Sequence, residues 1–174
     1  MSWNANAGVH NKLGYLEELK PDIAIVPECA TPDILTRKHG PFPRNATMAW
    51  MGDLDTKSLA VFGFGDWSVS SVEMPGPKLQ WILPITVEGP ANFNLLAVWS
   101  SNQAASNLAD HARVLPQPRV ALQQYRDFVL ERPTIMAGDF NHNVIWDTRL
   151  RPARMASSDT RSQPGSPSNT DVNL

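Results

Sequence analysis

Apolar residues in this chain fall into short runs that stop abruptly at carboxylates or amides, a pattern that predicts strands with chemistry at their ends. Asp22-Ile23-Ala24-Ile25-Val26 reads as a buried strand, followed at once by Pro27 and Glu28. Ile135, Met136 and Ala137, between Pro133 and Gly138, read as a second strand buried on both faces, and this one stops at Asp139. Beyond it Asp139, Phe140 and Asn141 alternate at period two. A continued strand would therefore put the carboxylate and the amide on one side and Phe140 on the other. Ser2 to Ala5 is a plausible first strand, with Asn4 and Asn6 on one side and Trp3 and Ala5 on the other.

The remaining pattern fills in an α/β chain. Leu13, Leu16 and Leu19 form the core stripe of a short helix over Lys12 to Leu19, closed by Lys20-Pro21. Ala121, Leu122, Tyr125, Phe128 and Val129 mark the clearest helix, Arg119 to Leu130. Thr47 to Met51, Ser58 to Phe62, Trp67 to Val72 and Leu79 to Val87 are β-prone runs spaced closely enough for an antiparallel meander, and Phe93 to Trp99 adds a strand ending at Ser100, Ser101 and Asn102. Thr31 to Asn45 is rich in Pro and Gly and reads as a loop. Its basic residues Arg37, Lys38, His39 and Arg44 could meet phosphate, although a solvated loop is the simpler reading. From Thr148 to Leu174 hydrophobic periodicity disappears, which predicts a disordered tail.

Composition narrows the function classes. The 174 residues, 42% of them hydrophobic, fit one domain with a sizeable core. No apolar run is long enough to span a membrane, and Met1-Ser2-Trp3-Asn4 lacks the charged and apolar regions of a signal peptide. A single cysteine, Cys29, fits a reducing compartment, so the expected location is cytoplasmic. Residues 1–147 hold 11 Lys and Arg against 15 Asp and Glu, so no basic face announces a tight nucleic-acid binder. No protein partner can be inferred.

A carboxylate beside a neutral amide, as in Asp139 and Asn141, can bind a hard cation or hold an attacking water, because both side chains offer oxygens without doubling the charge. A strand end closed by an Asx turn would use the same residues. The residues alone leave both open.

Taken as a set, Trp3-Asn4-Ala5-Asn6, Pro27-Glu28 after a buried strand and Gly138-Asp139-Phe140-Asn141 after another resemble the endonuclease/exonuclease/phosphatase superfamily, with its DNase I-like and exonuclease III-like members. The resemblance covers about residues 1–147 and implies a four-layer α/β/β/α sandwich of two mixed sheets, incomplete in its C-terminal half. It implies a phosphate-ester substrate, nucleic acid among the candidates, and a divalent cofactor, Mg²⁺ or Mn²⁺. Glu28 would be the main metal ligand with Asn4 beside it, and Asn6 would stand where some relatives place another carboxylate. Asp139 would orient or deprotonate the attacking water, while Asn141 would hold phosphate or its neighbours. Trp99 falls where nuclease relatives often carry a Tyr; lacking a hydroxyl, it could stack on substrate or pack, but not donate the same bond.

Family members continue with further strands, a late Asp and a closing Asp-His pair. The one Asp-His dipeptide here, Asp110-His111, precedes Asp139 and reads as a loop. His142 would point away from the site on a continued strand, and His10 and His39 have no supporting spacing. The expectation is a metal-dependent phosphodiester or phosphomonoester hydrolase, impaired by a shifted or truncated end at residues 148–174. The alternatives are a non-catalytic remnant binding metal or phosphate, and a small β-rich interaction module.

Overall fold

Strands form where the apolar runs lie, and their alternation assigns each side chain to one of three packed interfaces. A computed structural model describes residues 1–6, 8–40, 46–54, 57–100 and 117–141, all within the unit Met1–His142. One sheet has the order β1-β3-β2, built from β1 (Ile23–Pro27), β2 (Ala46–Leu54) and β3 (Lys57–Phe64), all antiparallel. Ser2 adds a parallel bridge to Ile25 at the free side of β1, which makes this sheet mixed. The other has the order β4-β5-β6-β7, built from β4 (Ser68–Ser71), β5 (Ile82–Glu88), β6 (Phe93–Trp99) and β7 (Thr134–Asp139). There β4, β5 and β6 form the expected meander, while β6 and β7 run parallel, Trp99 opposite Asp139.

Ile25, Leu59 and Val61 of the first sheet meet Leu83, Ile85, Leu95 and Trp99 of the second in the central core. Ala24, Val26, Ala60 and Phe62 face outward, under Leu13 and Leu16 of α1 (Leu13–Leu19) and Leu35 of α2 (Pro32–His39). On the opposite outer face Ile82, Leu96 and Val98 lie under Ala121 of α3 (Gln117–Gln124) and Phe128 of α4 (Arg126–Glu131). This is the expected four-layer α/β/β/α sandwich. Because helices cover both outer faces, β6 is apolar at nearly every position rather than alternating. Each large aliphatic buried this way contributes about 1.5–3 kcal/mol. Pro84 fits within β5 because its carbonyl faces Val72 just past the end of β4, so the missing N–H costs no bond to β6.

Several expectations are corrected. Thr31 to Asn45 is not all loop: Thr31 Oγ1 accepts from Ile34 N at 3.3 Å, Pro32 starts α2, and Gly40 at φ 74 closes it. Leu19 is 61% exposed, so the α1 stripe is two leucines long. The helix over Arg119 to Leu130 divides at Tyr125, whose φ of −101 and ψ of 28 leave the helical region. Strand β7 is not buried on both faces, with Ile135 49% exposed. Ser2 to Ala5 makes a single bridge instead of a ladder. Asp110, His111, Arg44, His142 and the segment 148–174 lie outside the described residues.

Candidate active site

Three chain segments bring polar side chains to one end of the sandwich. The first is the N-terminal strand piece, held parallel to β1 by Trp3 N donating to Ile25 O and Ile25 N donating to Met1 O, both at 2.9 Å. It therefore travels toward the end of β1 and brings Asn4 beside Glu28. The third is β7, whose parallel pairing with β6 ends at Asp139. Asn4 Nδ2 donates to Glu28 Oε1 and to Asp139 Oδ2, each at 3.1 Å.

Two Asx turns aim these groups. Asn6 N donates to Asn4 Oδ1 at 2.9 Å, and Asn141 N donates to Asp139 Oδ1 at 3.1 Å. In each turn the third residue is an asparagine in the left-handed region, φ 49 at Asn6 and φ 48 at Asn141. A backbone N–H can only donate, so the Asn4 oxygen must face its own turn and its NH₂ must face the carboxylates. Asn141 does not share a strand face with Asp139 as the period-two pattern suggested. The strand stops at Asp139, Asn141 Nδ2 donates to Ser100 O at 2.7 Å, and Ser100 N donates to Asp139 O at 2.8 Å.

Glu28 is presented differently. Its φ is 54, a conformation that costs a non-glycine residue about 1–2 kcal/mol. The following residue is fixed by Cys29 N donating to Ser58 O at 3.1 Å and by Ser58 Oγ donating to Cys29 O. Strained residues gather at functional sites more often than elsewhere, and Asn6, Glu28 and Asn141 are three of the five positive-φ non-glycine residues among those described. Gly138, at φ 146, lets β7 lie against β6: a Cβ there would sit on the Val98 carbonyl oxygen and 2.8 Å from Val98 N.

The oxygens that face the cluster belong to the Glu28 and Asp139 carboxylates, hard donors that suit Mg²⁺ or Mn²⁺ rather than a thiophilic ion, while Asn4, expected as a second ligand, turns its NH₂ to them and spends its oxygen on Asn6 N. Cys29 adds no ligand, because it is buried and burial pushes its thiol up to about 12. Among the described residues no group of three or more His, Cys, Asp and Glu could hold a metal, so an ion here would keep several positions for water and substrate. Asn6 is exposed beside the cluster, and its backbone, rather than its side chain, is the part that orients Asn4. Trp99 packs instead of stacking on substrate. It is 6% exposed, with its ring 4.6 Å from that of Trp81 in the central core. Pattern reading found Ser100 only as a polar strand end; that its backbone ties β6 to β7 was hidden, because a carbonyl leaves no mark in sequence.

No family model and no curated protein matches this sequence. Solved structures do. The fold superposes on a humanized D. rerio TDP2 carrying 14 mutations, with TM-score 0.57, 19% identity, and coverage of 82% of this chain and 61% of that one. For truncated Caenorhabditis elegans TDP2 the TM-score is 0.55 at 12% identity, with 83% and 62% covered. A functionally unknown conserved protein from Enterococcus faecalis V583 gives 0.54 at 17%, with 77% and 58% covered. The chain thus spans about three-fifths of the length of these structures. No helix among the described residues is long and apolar enough to cross a membrane. With its layers, sheet orders and these superpositions in agreement, the chain has a DNase I-like α/β/β/α fold.

Proposed function

We propose that the Asn4–Glu28–Asp139 cluster is the metal-binding and water-activating site of a phosphodiester or phosphomonoester hydrolase. One amide supports this most: Asn4 Nδ2 joins two carboxylates from residues 24 and 135 positions away, a convergence that closing a strand end does not need. Glu28 supplies the ion's main charged ligand, and Asn4 stands beside it, its NH₂ holding the Glu28 and Asp139 carboxylates together. A bound Mg²⁺ or Mn²⁺ would polarise the phosphoryl group and offset charge developing on its oxygens. Asp139 is restrained through both oxygens, and it orients an attacking water and takes its proton. Asn141 holds Asp139 through its backbone N–H, and Asn6 stands at the rim for the substrate phosphate. We assign this role to residues 1–147 and, from the lone protonated Cys29, place the protein in the cytoplasm.

The test is Mg²⁺- and Mn²⁺-dependent cleavage of plasmid DNA and of a chromogenic phosphodiester by the full chain, beside Glu28→Gln and Asp139→Asn. A loss of about a hundredfold or more in both variants is expected. Metal-dependent melting with no turnover in any form would instead favour a non-catalytic metal- or phosphate-binding domain.

A further inference from the structure

Two chain paths leave the candidate site and meet again. From Asn6 the chain enters the 3-10 turn Val9–Asn11, and from Glu28 it passes through Thr31 into α2. They rejoin where the His39 ring nitrogen Nε2 contacts the His10 carbonyl oxygen. His10 is four residues past Asn6, so the junction lies at most about 14 Å from it along the chain. Lys38 stands beside this junction, its charge acting on His10, and Arg37 precedes it on the last turn of α2, both exposed. Lys12 is nearer the site, its Nζ donating to Ala5 O at 3.2 Å between the two asparagines of the first turn.

We propose that the corner formed by Lys38, His39 and His10, with Arg37 on the adjoining side of α2, is a second phosphate-binding site that holds a flanking phosphate of a single-stranded nucleic acid. The inference rests on the reading of the adjacent site as acting on phosphate esters, and it specifies a polymeric one. Cations are gathered here although residues 1–147 are acidic overall. Among the described residues the one ion pair is Arg132–Glu131, so neither Arg37 nor Lys38 is ion-paired with a carboxylate among them. Asp33, the acidic residue of α2, shares a face with Arg37 four residues on without forming an ion pair with it, and Lys38 lies off that face. The local field is visible at His10, whose pKa is lowered by burial and then by the charges of Lys38 and His39.

A bilayer fits this corner less well. Ile34 and Leu35 of α2 pack inward, and its exposed residues are Asp33, Thr36, Arg37, Lys38 and His39, leaving no apolar group to insert into lipid. A polymer presents neighbouring phosphates at regular spacing, which lets one occupy the corner while another occupies the site.

The experiment is anisotropy titration of a fluorescein-labelled oligothymidylate with the full chain in EDTA, across a salt series, so that turnover plays no part. Arg37→Gln/Lys38→Gln should weaken binding by about tenfold and lower the slope of log K against log salt by about 1.4, while Lys78→Gln, at an exposed residue between β4 and β5, should change neither. Unchanged binding in the double variant overturns the proposal. So does an equal loss in Lys78→Gln, or binding to phosphatidylserine vesicles without binding to the oligonucleotide. A chain that binds as expected but fails to hydrolyse any ester would refute the catalytic reading alone.

Discussion

Asn4-Ala5-Asn6 and Asp139-Phe140-Asn141 are the same turn built twice, with different chemistry in the first position. Each spends one side-chain oxygen on the N–H two residues ahead, and each ends in a left-handed asparagine. What differs is the atom left over: an amide NH₂ in one, a carboxylate oxygen in the other. The turn fixes direction, and the spare atom decides what the direction is for. Because one spare atom donates and the other accepts, the two turns bind each other, and Glu28 joins as a second acceptor. The anchoring also differs. The first turn hangs on one strand bridge, buried Ala5 and the Lys12 ammonium, whereas the second continues a six-residue ladder and is tied to Ser100.

That contrast can be broken most severely at Gly138. Gly138→Ala would drive a Cβ into the Val98 backbone and should cost about 3 kcal/mol or more, read as a lowered denaturant midpoint. Asn141→Ala removes the bond to Ser100 and puts alanine in the left-handed region. It should cost about 2 kcal/mol, more than Asn6→Ala, which gives up only the favoured conformation. Equal losses would mean that the second turn is no better anchored than the first.

Asn4→Asp makes the chemistry of the two turns alike while keeping the turn oxygen. Oε1 of Glu28 and Oδ2 of Asp139 are each 3.1 Å from one nitrogen, within about 6 Å of each other, and losing the donor between them adds a third like charge. The metal-free protein should melt lower by about 1 kcal/mol, with Mg²⁺ restoring more stability than in the parent chain. A parent-like melting curve with and without Mg²⁺ would count against a shared cation position.

The smallest effect concerns pH. With its folded pKa below the ordinary 6.5, His10 favours the folded state while neutral. That contribution is fully present above pH 6.5 and is lost as pH falls through the lowered value. Melting temperature measured from pH 7.5 to 5 should fall less in His10→Gln than in the parent chain.

Much of this was legible in the sequence because it is local. Apolar runs ending at Glu28 and Asp139 identified the strands and their chemical ends, and the leucines at 13 and 16 identified α1. Segment α2 was hidden because its inward face is only Ile34 and Leu35, and Pro32 and Gly40, which start and close it, look in sequence like loop residues. The Asx turn and the carboxylate site, set against each other as readings of Asp139, coexist because a carboxylate has two oxygens. Trp99 shows the limit: its position beside the strand end was readable, but whether its ring faced substrate or core depended on the second sheet.

The central claim is that the Glu28 and Asp139 carboxylates, drawn together by the Asn4 amide, serve a single ion, and Mn²⁺ titration of the full chain followed by electron paramagnetic resonance tests it most directly. One equivalent of Mn²⁺ should bind, at least about tenfold more weakly in Glu28→Gln and in Asp139→Asn. Binding of Mn²⁺ with parental affinity in both variants would contradict the account.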